Sequence, residues 1–176
     1  TDKLTKAMGG LKMASGTSTG AQLGASVSVK ERNKIAELVD SSVAAGGAIK
    51  TGGKSPSGAG AFYPATVLSV KNDNPILSQE IFGPVAPIVI TNSDEEAIEL
   101  ANATEFGLIA YVYSSDLKRA MKVAESLESG MVAINKGVIS DPAAPFGGFK
   151  QSGLGREGGF AGIEEFLETK YIGVEI

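Results

Sequence analysis

A short motif with an acidic and an aromatic residue is the first feature whose chemistry suggests a binding site. Glu80-Ile81-Phe82-Gly83-Pro84 lies between two apolar runs, and its Gly-Pro pair indicates a tight turn. In extended chain, Glu80 and Phe82 point to the same side. A carboxylate can accept hydrogen bonds from two vicinal hydroxyls, as on a ribose, and an aromatic ring can lie against a flat heterocycle. The pentapeptide alone favours the simpler alternative, a solvated Glu80 and a core Phe82, because buried phenylalanines are common.

A glycine-dense segment is the second such feature. It covers residues 145–157 and has the sequence PFGGFKQSGLGRE. Glycine at this density lets the backbone adopt positive φ values and approach another surface closely. The alternative is a mobile surface loop, but Phe146, Phe149 and Leu154 would be poorly placed on one. We therefore expect the segment to pack against other parts of the protein.

Two shorter motifs carry less weight. The glycines of GLGREG, residues 153–158, have G-x-G-x-x-G spacing, but no strand is expected before them and the chain ends at residue 176. The dinucleotide fingerprint needs a leading strand, a long helix and a second strand. Ser18 lies in GTSTG, residues 16–20, but a nucleophile elbow of that form also needs a histidine base. We predict structural glycines in the first motif and an ordinary loop serine in the second.

The composition excludes several kinds of chemistry. The 176 residues include no Cys and no His, so the chain holds no disulfide, thiolate metal site, thiol nucleophile or Ser-His-Asp triad of its own. A hydrophobic fraction of 43% and a charged fraction of 20% are typical of a globular protein. The net charge of −4 argues against a nucleic-acid partner, and no apolar run is long enough to span a membrane. The absence of Cys favours a cytoplasmic location.

Alternating helices and strands are expected to hold the two motifs in place. Helices are predicted over 29–45, from the cap at Ser93 to about Gly107, and over 117–127, with capping pairs Ser28/Glu31 and Ser93/Glu96. Strands are predicted over 48–51, 66–70, 85–90, 109–113 and 131–135. This order indicates an α/β fold with a mainly parallel sheet and helices on both faces. Residues 136–159 form a long loop, which favours a functional role, before a short helix over 162–167 and a final strand over 170–176.

Together, the two motifs resemble the C-terminal half of the aldehyde dehydrogenase superfamily. The E-x-F-G-P motif at 80–84 precedes P-F-G-G-x-K-x-S-G-x-G-R-E at 145–157, and the similarity covers essentially the whole chain. It includes Phe106-Gly107-Leu108 before a strand and Gly130-Met131-Val132 before Asn135. The resemblance implies a partial aldehyde dehydrogenase catalytic domain over 1–167 and an oligomerisation strand over 168–176.

The resemblance also implies a nucleotide cofactor. In the family, the glutamate matching Glu80 binds the ribose hydroxyls of the nicotinamide nucleotide, and the phenylalanine matching Phe82 packs beside the nicotinamide ring. NAD or NADP is therefore the expected cofactor, with Glu80 and Phe82 as its binding residues in this chain.

Two further residues are implied to contact the substrate. The phenylalanine matching Phe146 lies near the aldehyde tunnel. The loop NKGVIS, residues 135–140, is similar to the substrate loop of succinate-semialdehyde dehydrogenases, where the serine matching Ser140 helps arginines elsewhere to bind a distal carboxylate. A hydroxyl donor suits that role, but Ser140 is equally well explained as the start of the turn before Asp141-Pro142.

The implied reaction needs residues that this chain does not contain. In the family a cysteine thiolate attacks the aldehyde, hydride passes to NAD(P)+, and water activated by a glutamate hydrolyses the thioester. Both residues lie upstream of the matching region, so we assign no catalytic residue and expect the chain alone to be inactive. Succinate semialdehyde is the expected substrate, with glutarate semialdehyde or another ω-carboxy semialdehyde as an alternative. A different alternative is a non-catalytic oligomerisation module.

The end of the chain is expected to contact another subunit. The segment that begins at Lys170 and ends at Ile176 resembles the strand by which family members pair with a neighbouring subunit. An apolar terminal strand with free edges favours such pairing. A homo-oligomer is therefore expected, with no nucleic-acid or membrane partner.

Overall fold

Helices and strands alternate along most of the chain. The computed structural model describes residues 1–58 and 60–176, which divide into two units, Thr1–Ile90 and Thr91–Ile176. The helices are α1 (Asp2–Gly9), α2 (Val29–Ala44), α3 (Asp94–Asn102) and α4 (Leu117–Ser126). The strands are β1 (Ala48–Thr51), β2 (Thr66–Ser69), β3 (Val85–Ile88), β4 (Phe106–Gly107), β5 (Ile109–Val112), β6 (Met131–Ile134) and β7 (Phe149–Lys150). No helix among these described residues is long and apolar enough to cross a membrane.

The first unit contains a three-stranded sheet with α2 packed against its core. β1 is antiparallel to β2, and β2 is parallel to β3. Ile35 and Val39, four residues apart on one face of α2, are buried with apolar side chains of β2 and its neighbours. The hydroxyl oxygen of Ser28 accepts a hydrogen bond from the Glu31 amide at 3.1 Å. This confirms the predicted cap at the start of α2.

The second unit contains a parallel strand pair, β5 and β6, against which α4 packs. Ser93 caps α3 as predicted, accepting from the Glu96 amide at 3.1 Å, and Asp116 caps α4 in the same way. Arg119 of α4 makes two hydrogen bonds to the carboxylate of Asp94 at the start of α3. This contact lowers the pKa of Asp94 and raises that of Arg119.

The sheet differs from the prediction in its strand directions. Among the described residues, two strand pairs are parallel (β2–β3 and β5–β6) and two are antiparallel (β1–β2 and β4–β7), in three small sheets. The α/β class is as predicted, but the sheet is only partly parallel. Apolar runs show which segments are strands without showing their direction, and the described residues between β1 and β2 (52–58 and 60–65) contain no crossover helix.

Four short elements are absent from the sequence prediction, and one predicted strand is not formed. The missed elements are α1, the 3-10 helix Pro75–Ser78, and the paired strands β4 and β7. Residues 168–176 are exposed and contain no strand, so the prediction of a strand there is wrong for the single chain. A strand needs a backbone partner, and no described segment of this chain provides one. Its pairing with another subunit, and a domain boundary after residue 167, stay predictions.

Candidate cofactor and substrate sites

The E-x-F-G-P motif lies between the 3-10 helix Pro75–Ser78 and β3, with Ile81 and Pro84 partly buried and the other three residues exposed. Ile81 packs against the core of the first unit. Glu80 is exposed, and Phe82 is 78% exposed. The alternative in which Phe82 belongs to the core is therefore wrong. The two side chains with binding chemistry lie on either side of a residue that is anchored in the core.

The backbone of Phe82 has a conformation that is unusual for its residue type. Its φ angle is +44°, in the left-handed region that costs a residue with a Cβ about 1–2 kcal/mol. Such outliers persist where the surroundings impose them, and they cluster at functional sites.

The residues that follow Phe82 impose this conformation. A Cβ on Gly83 would lie 2.5 Å from Cδ1 of Ile35, so the backbone at Gly83 is pressed against α2. The Thr66 amide donates to the Pro84 carbonyl oxygen at 2.8 Å and fixes the chain against β2. With Ile81 in the core and Gly83 against α2, the side chain of Phe82 remains in solvent.

The exposed pair offers two kinds of contact to a ligand. The ring of Phe82 provides an apolar face for a flat heterocycle, and the carboxylate of Glu80 provides hydrogen-bond acceptors for vicinal hydroxyls. Other apolar side chains are at least as exposed, Leu154, Phe160 and Phe166 among them, but of these residues only Phe82 has a positive φ angle.

The glycine-dense segment packs against its own unit. Phe146 and Glu157 exchange two backbone hydrogen bonds, with N···O distances of 2.7 and 2.9 Å. The Gly107 amide donates to the hydroxyl of Ser152 at 2.9 Å. A Cβ on Gly130 would overlap the carbonyl oxygen of Gly147. A Cβ on Gly147 would lie 2.5 Å from the carbonyl oxygen of Gly155, so close backbone approach explains glycine there, as the sequence suggested. The prediction from the apolar side chains is only partly right, because Phe146 is half-buried whereas Phe149 is 45% and Leu154 100% exposed.

Two cations of this segment, to which the sequence analysis gave no role, hold the backbone in place. Nη1 of Arg156 donates to the carbonyl oxygens of Gly148 (3.0 Å) and Gly155 (2.6 Å), and its guanidinium lies 5.4 Å from the ring centroid of Phe149. Nζ of Lys150 donates to the carbonyl oxygens of Asn102 (2.7 Å) and Thr104 (3.1 Å). Carbonyls that lack partners at a helix C-terminus attract cations in this way. In the sequence, the presence of one Lys and one Arg among so many glycines was the feature that could have indicated this structural role.

The two predicted substrate residues line one cavity. This cavity has a volume of about 390 Å³, and its lining includes Ser140, Asp141, Pro142, Ala144, Phe146, Glu157 and Gly158. Asp141, rather than Ser140, accepts the hydrogen bonds of the adjacent turn, from the amides of Ala143 and Ala144. The hydroxyl of exposed Ser140 is therefore not needed to form the turn. These lining residues include two carboxylates and no Lys or Arg, so they supply no cation for a substrate carboxylate.

The predicted residues thus form two pairs. Glu80 and Phe82 belong to the first unit, and Ser140 and Phe146 belong to the second.

Neither of the two shorter motifs has the structure that its chemistry would need. The G-x-G-x-x-G segment leads into the six-residue 3-10 helix Ala161–Phe166 rather than into a long α-helix. Ser18 is an exposed turn residue. The structural interpretation of both motifs is confirmed.

The sequence and the structure both match one family. The profile described as "Aldehyde dehydrogenase family" matches residues 1–172. The chain belongs to the aldehyde dehydrogenase family.

Relatives within this family act on several related aldehydes, according to their names. A succinate-semialdehyde dehydrogenase of Paenarthrobacter nicotinovorans is 51% identical over 99% of the chain and 39% of the relative. A 3-sulfolactaldehyde dehydrogenase of Pseudomonas putida is 42% identical over 97% of the chain and 35% of the relative. A glutarate-semialdehyde dehydrogenase of Pseudomonas aeruginosa is 43% identical over 97% of the chain and 36% of the relative. The chain therefore spans well under half the length of these aldehyde dehydrogenases.

Solved structures show the same fold. Succinate-semialdehyde dehydrogenase from Burkholderia pseudomallei has a TM-score of 0.88 and 47% identity, over 94% of the chain and 34% of that protein. Succinic semialdehyde dehydrogenase from Streptococcus pyogenes, solved with NADP+ as the cofactor, has a TM-score of 0.90 and 35% identity, over 97% of the chain and 38% of that protein. The α/β fold of this chain is therefore that of aldehyde dehydrogenases.

Proposed function

We propose that the chain is the part of an NAD(P)-dependent aldehyde dehydrogenase that positions the nicotinamide and lines the aldehyde pocket. Succinate semialdehyde is the proposed substrate, and succinate the product. The observation that carries the proposal is Phe82, which is exposed beside Glu80 on a backbone conformation imposed by the core. The similarity to the Streptococcus pyogenes enzyme, solved with NADP+, supports the nucleotide.

Glu80 and Phe82 would act by restricting the orientation of the nicotinamide. The carboxylate of Glu80 would accept hydrogen bonds from the two ribose hydroxyls, while the ring of Phe82 would limit rotation of the neighbouring heterocycle. A bound nicotinamide nucleotide supplies the hydride acceptor for the oxidation. Correct orientation of reacting groups can lower an activation barrier by several kcal/mol. Orientation of the nicotinamide is the contribution that we propose for this chain. It supplies no thiolate nucleophile, because it contains no Cys.

Ser140 and Phe146 would select the substrate. The ring of Phe146 would pack against the carbon chain of the aldehyde and exclude water from it. The hydroxyl of Ser140 would donate to the distal carboxylate. Because the lining residues named above include no cation, we propose that guanidinium groups outside this cavity neutralise the carboxylate together with Ser140.

Glutarate semialdehyde is the second candidate substrate. The glutarate-semialdehyde dehydrogenase of Pseudomonas aeruginosa shares 43% identity with the chain, close to the 44% of the mitochondrial succinate-semialdehyde dehydrogenase of Mus musculus. All three named aldehydes carry an anionic group at a distance from the aldehyde, which is the property that Ser140 would recognise.

We also propose that residues 170–176 pair with a second copy of the chain. The side chains there are strongly exposed, including Tyr171 at 91% and Val174 at 78%. Exposed apolar side chains on an unpaired backbone favour strand addition. A cytoplasmic location stays a prediction from composition.

One assay tests both the proposed activity and the proposal that this chain alone cannot catalyse it. The natural polypeptide that contains this chain and the 176-residue chain alone are each incubated with succinate or glutarate semialdehyde and with NAD+ or NADP+. We expect reduced nucleotide from the natural polypeptide, with succinate semialdehyde preferred, and none from the chain alone. A natural polypeptide that oxidises neither aldehyde would refute the proposed function. Turnover by the chain alone would refute the claim that the nucleophile lies elsewhere.

A further inference from the structure

The segment that presents Glu80 and Phe82 begins at a buried asparagine. Asn74 is 4% exposed and caps the 3-10 helix Pro75–Ser78. Its Nδ2 donates to the carbonyl oxygen of Ser42, near the end of α2, at 3.0 Å. Its Oδ1 accepts from the Ile76 amide at 3.2 Å. One side chain therefore ties the start of the segment to α2.

The other end of the segment is tied to α2 and β2. Gly83 is pressed against Ile35 of α2, and the Pro84 carbonyl is bonded to Thr66 of β2. Ile76 is 2% exposed, so the 3-10 helix is also held in the core. Glu80 and Phe82 thus lie on a segment of about ten residues whose two ends are fixed to the same helix. A segment fixed at both ends can hold Phe82 at a positive φ, whereas a segment fixed at one end could relax.

We propose that Asn74 is a positioning residue for the cofactor site. By bonding to both Ser42 and Ile76, it fixes the backbone that orients Glu80 and Phe82. This inference rests on the proposed function, because it assigns Asn74 to the same nicotinamide site. A packed apolar residue of similar size would fill the space, but it would leave the buried Ile76 amide without its acceptor. The structure offers no other acceptor for that amide among the described residues.

The chain contains a control that loses hydrogen bonds of the same kinds, at a less buried site. In the second unit, Nδ2 of Asn102 donates to the Ser126 carbonyl at 2.9 Å, and its Oδ1 accepts from the Glu128 amide at 2.8 Å. Asn102→Leu therefore removes the same two kinds of hydrogen bond, one to the end of a helix and one from a backbone amide. The backbone carbonyl oxygen of residue 102, which accepts a hydrogen bond from Nζ of Lys150, is retained in this variant.

The test uses Asn74→Leu and Asn102→Leu in the natural polypeptide that contains this chain. Hydrogen exchange without cofactor reports on the backbone of residues 76–85. Rapid mixing with aldehyde gives the rate and the amplitude of the first turnover of reduced nucleotide. Thermal unfolding reports on general stability. The burst amplitude counts active enzyme, so a merely structural defect lowers the amplitude and not the rate.

For Asn74→Leu we expect faster exchange over 76–85 and a burst rate reduced at least about tenfold, because small misplacements of reacting groups are costly. The amplitude per folded molecule should be retained. Asn102→Leu should lower the melting temperature while keeping the wild-type burst rate and the wild-type protection of 76–85. If Asn74→Leu does not fold, Asn74→Asp replaces it. Asn74→Asp keeps the acceptor for Ile76 but loses the donor to Ser42, and it should also slow the burst.

Three results would overturn the inference. The first is a wild-type burst rate in the Asn74 variant that folds. The second is an equal slowing in Asn102→Leu, which would show a general effect of lost stability. The third is unchanged exchange over 76–85. If the wild-type polypeptide reduces no nucleotide at all, the proposed function fails and the inference fails with it. If the wild type is active and one of the three results above is found, only the inference fails, so the two failures are distinguishable.

Discussion

The left-handed backbone of Phe82 leads to a stability prediction that separates the folding role of this position from its binding role. We compare Phe82→Gly with Phe82→Ala in the natural polypeptide. Both variants lose the aromatic ring, so the small contribution of its buried fraction cancels in the comparison. What remains is the difference between a residue with a Cβ and one without at a φ angle of +44°.

The expected difference has the opposite sign from that at ordinary positions. Alanine in the left-handed region costs about 1–2 kcal/mol. Glycine avoids that cost but loses about 0.5–1 kcal/mol more conformational entropy on folding. The glycine variant should therefore be more stable than the alanine variant by about 0.75 kcal/mol, within a range of about 0–1.5 kcal/mol.

Urea denaturation followed by circular dichroism measures this difference as a shift in midpoint. Single-turnover kinetics should show that both variants transfer hydride more slowly than the wild type, although the glycine variant is the more stable of the two. If the alanine variant is the more stable of the two, the strained conformation of Phe82 is not present in the folded protein, and the argument from strain to function fails. If both variants transfer hydride at the wild-type rate, the ring does not position the nicotinamide.

Three further predictions concern Glu80, Ser140 and Tyr63. Glu80→Gln should slow single-turnover hydride transfer more than it weakens nucleotide binding measured by calorimetry, and an unchanged transfer rate would count against the ribose contact. Ser140→Ala should raise KM for succinate semialdehyde by about fivefold, the equivalent of about 1 kcal/mol for one hydrogen bond, with little effect on an uncharged aldehyde. Equal effects on the two aldehydes would exclude the carboxylate contact. Burial, with a smaller contribution from Asp40, raises the pKa of Tyr63 to about 12 from 10.0. The unfolded chain therefore loses this proton first. The associated stability is fully present below pH 10 and is lost as the pH rises towards 12, by up to roughly 2–3 kcal/mol because the ring is buried. In Tyr63→Phe this part of the alkaline dependence of the urea midpoint should disappear, and an unchanged profile would assign it to other groups.

Local sequence patterns predicted most of the secondary structure. The caps at Ser28 and Ser93 are visible in the sequence because capping depends on residues only three positions apart. The strands β2, β3, β5 and β6 could be predicted for a similar reason, because each forms from a continuous run of mainly apolar residues that is recognisable in the sequence. Strand direction is not local, and so the antiparallel pairing of β1 with β2 was missed.

The candidate sites show the same division between local and tertiary information. The residue types at Glu80 and Phe82 indicated what they could bind, but the motif alone favoured a buried Phe82. Its exposure depends on Ile35, which occupies the space beside Gly83 and is distant in sequence. The role of Asn74 is also invisible in the sequence, because its partner Ser42 lies on another element.

The sequence by itself determined the α/β class, the absence of a thiol nucleophile and the two motifs that resemble aldehyde dehydrogenases. These properties follow from composition and from residues that are neighbours along the chain. Only the tertiary structure decided that Phe82 is presented to solvent on a strained backbone, that Ser140 and Phe146 share a cavity, and that glycines of residues 145–157 allow close backbone contact. Each of these depends on which distant atoms occupy the surrounding space, and close packing rather than local propensity determines that.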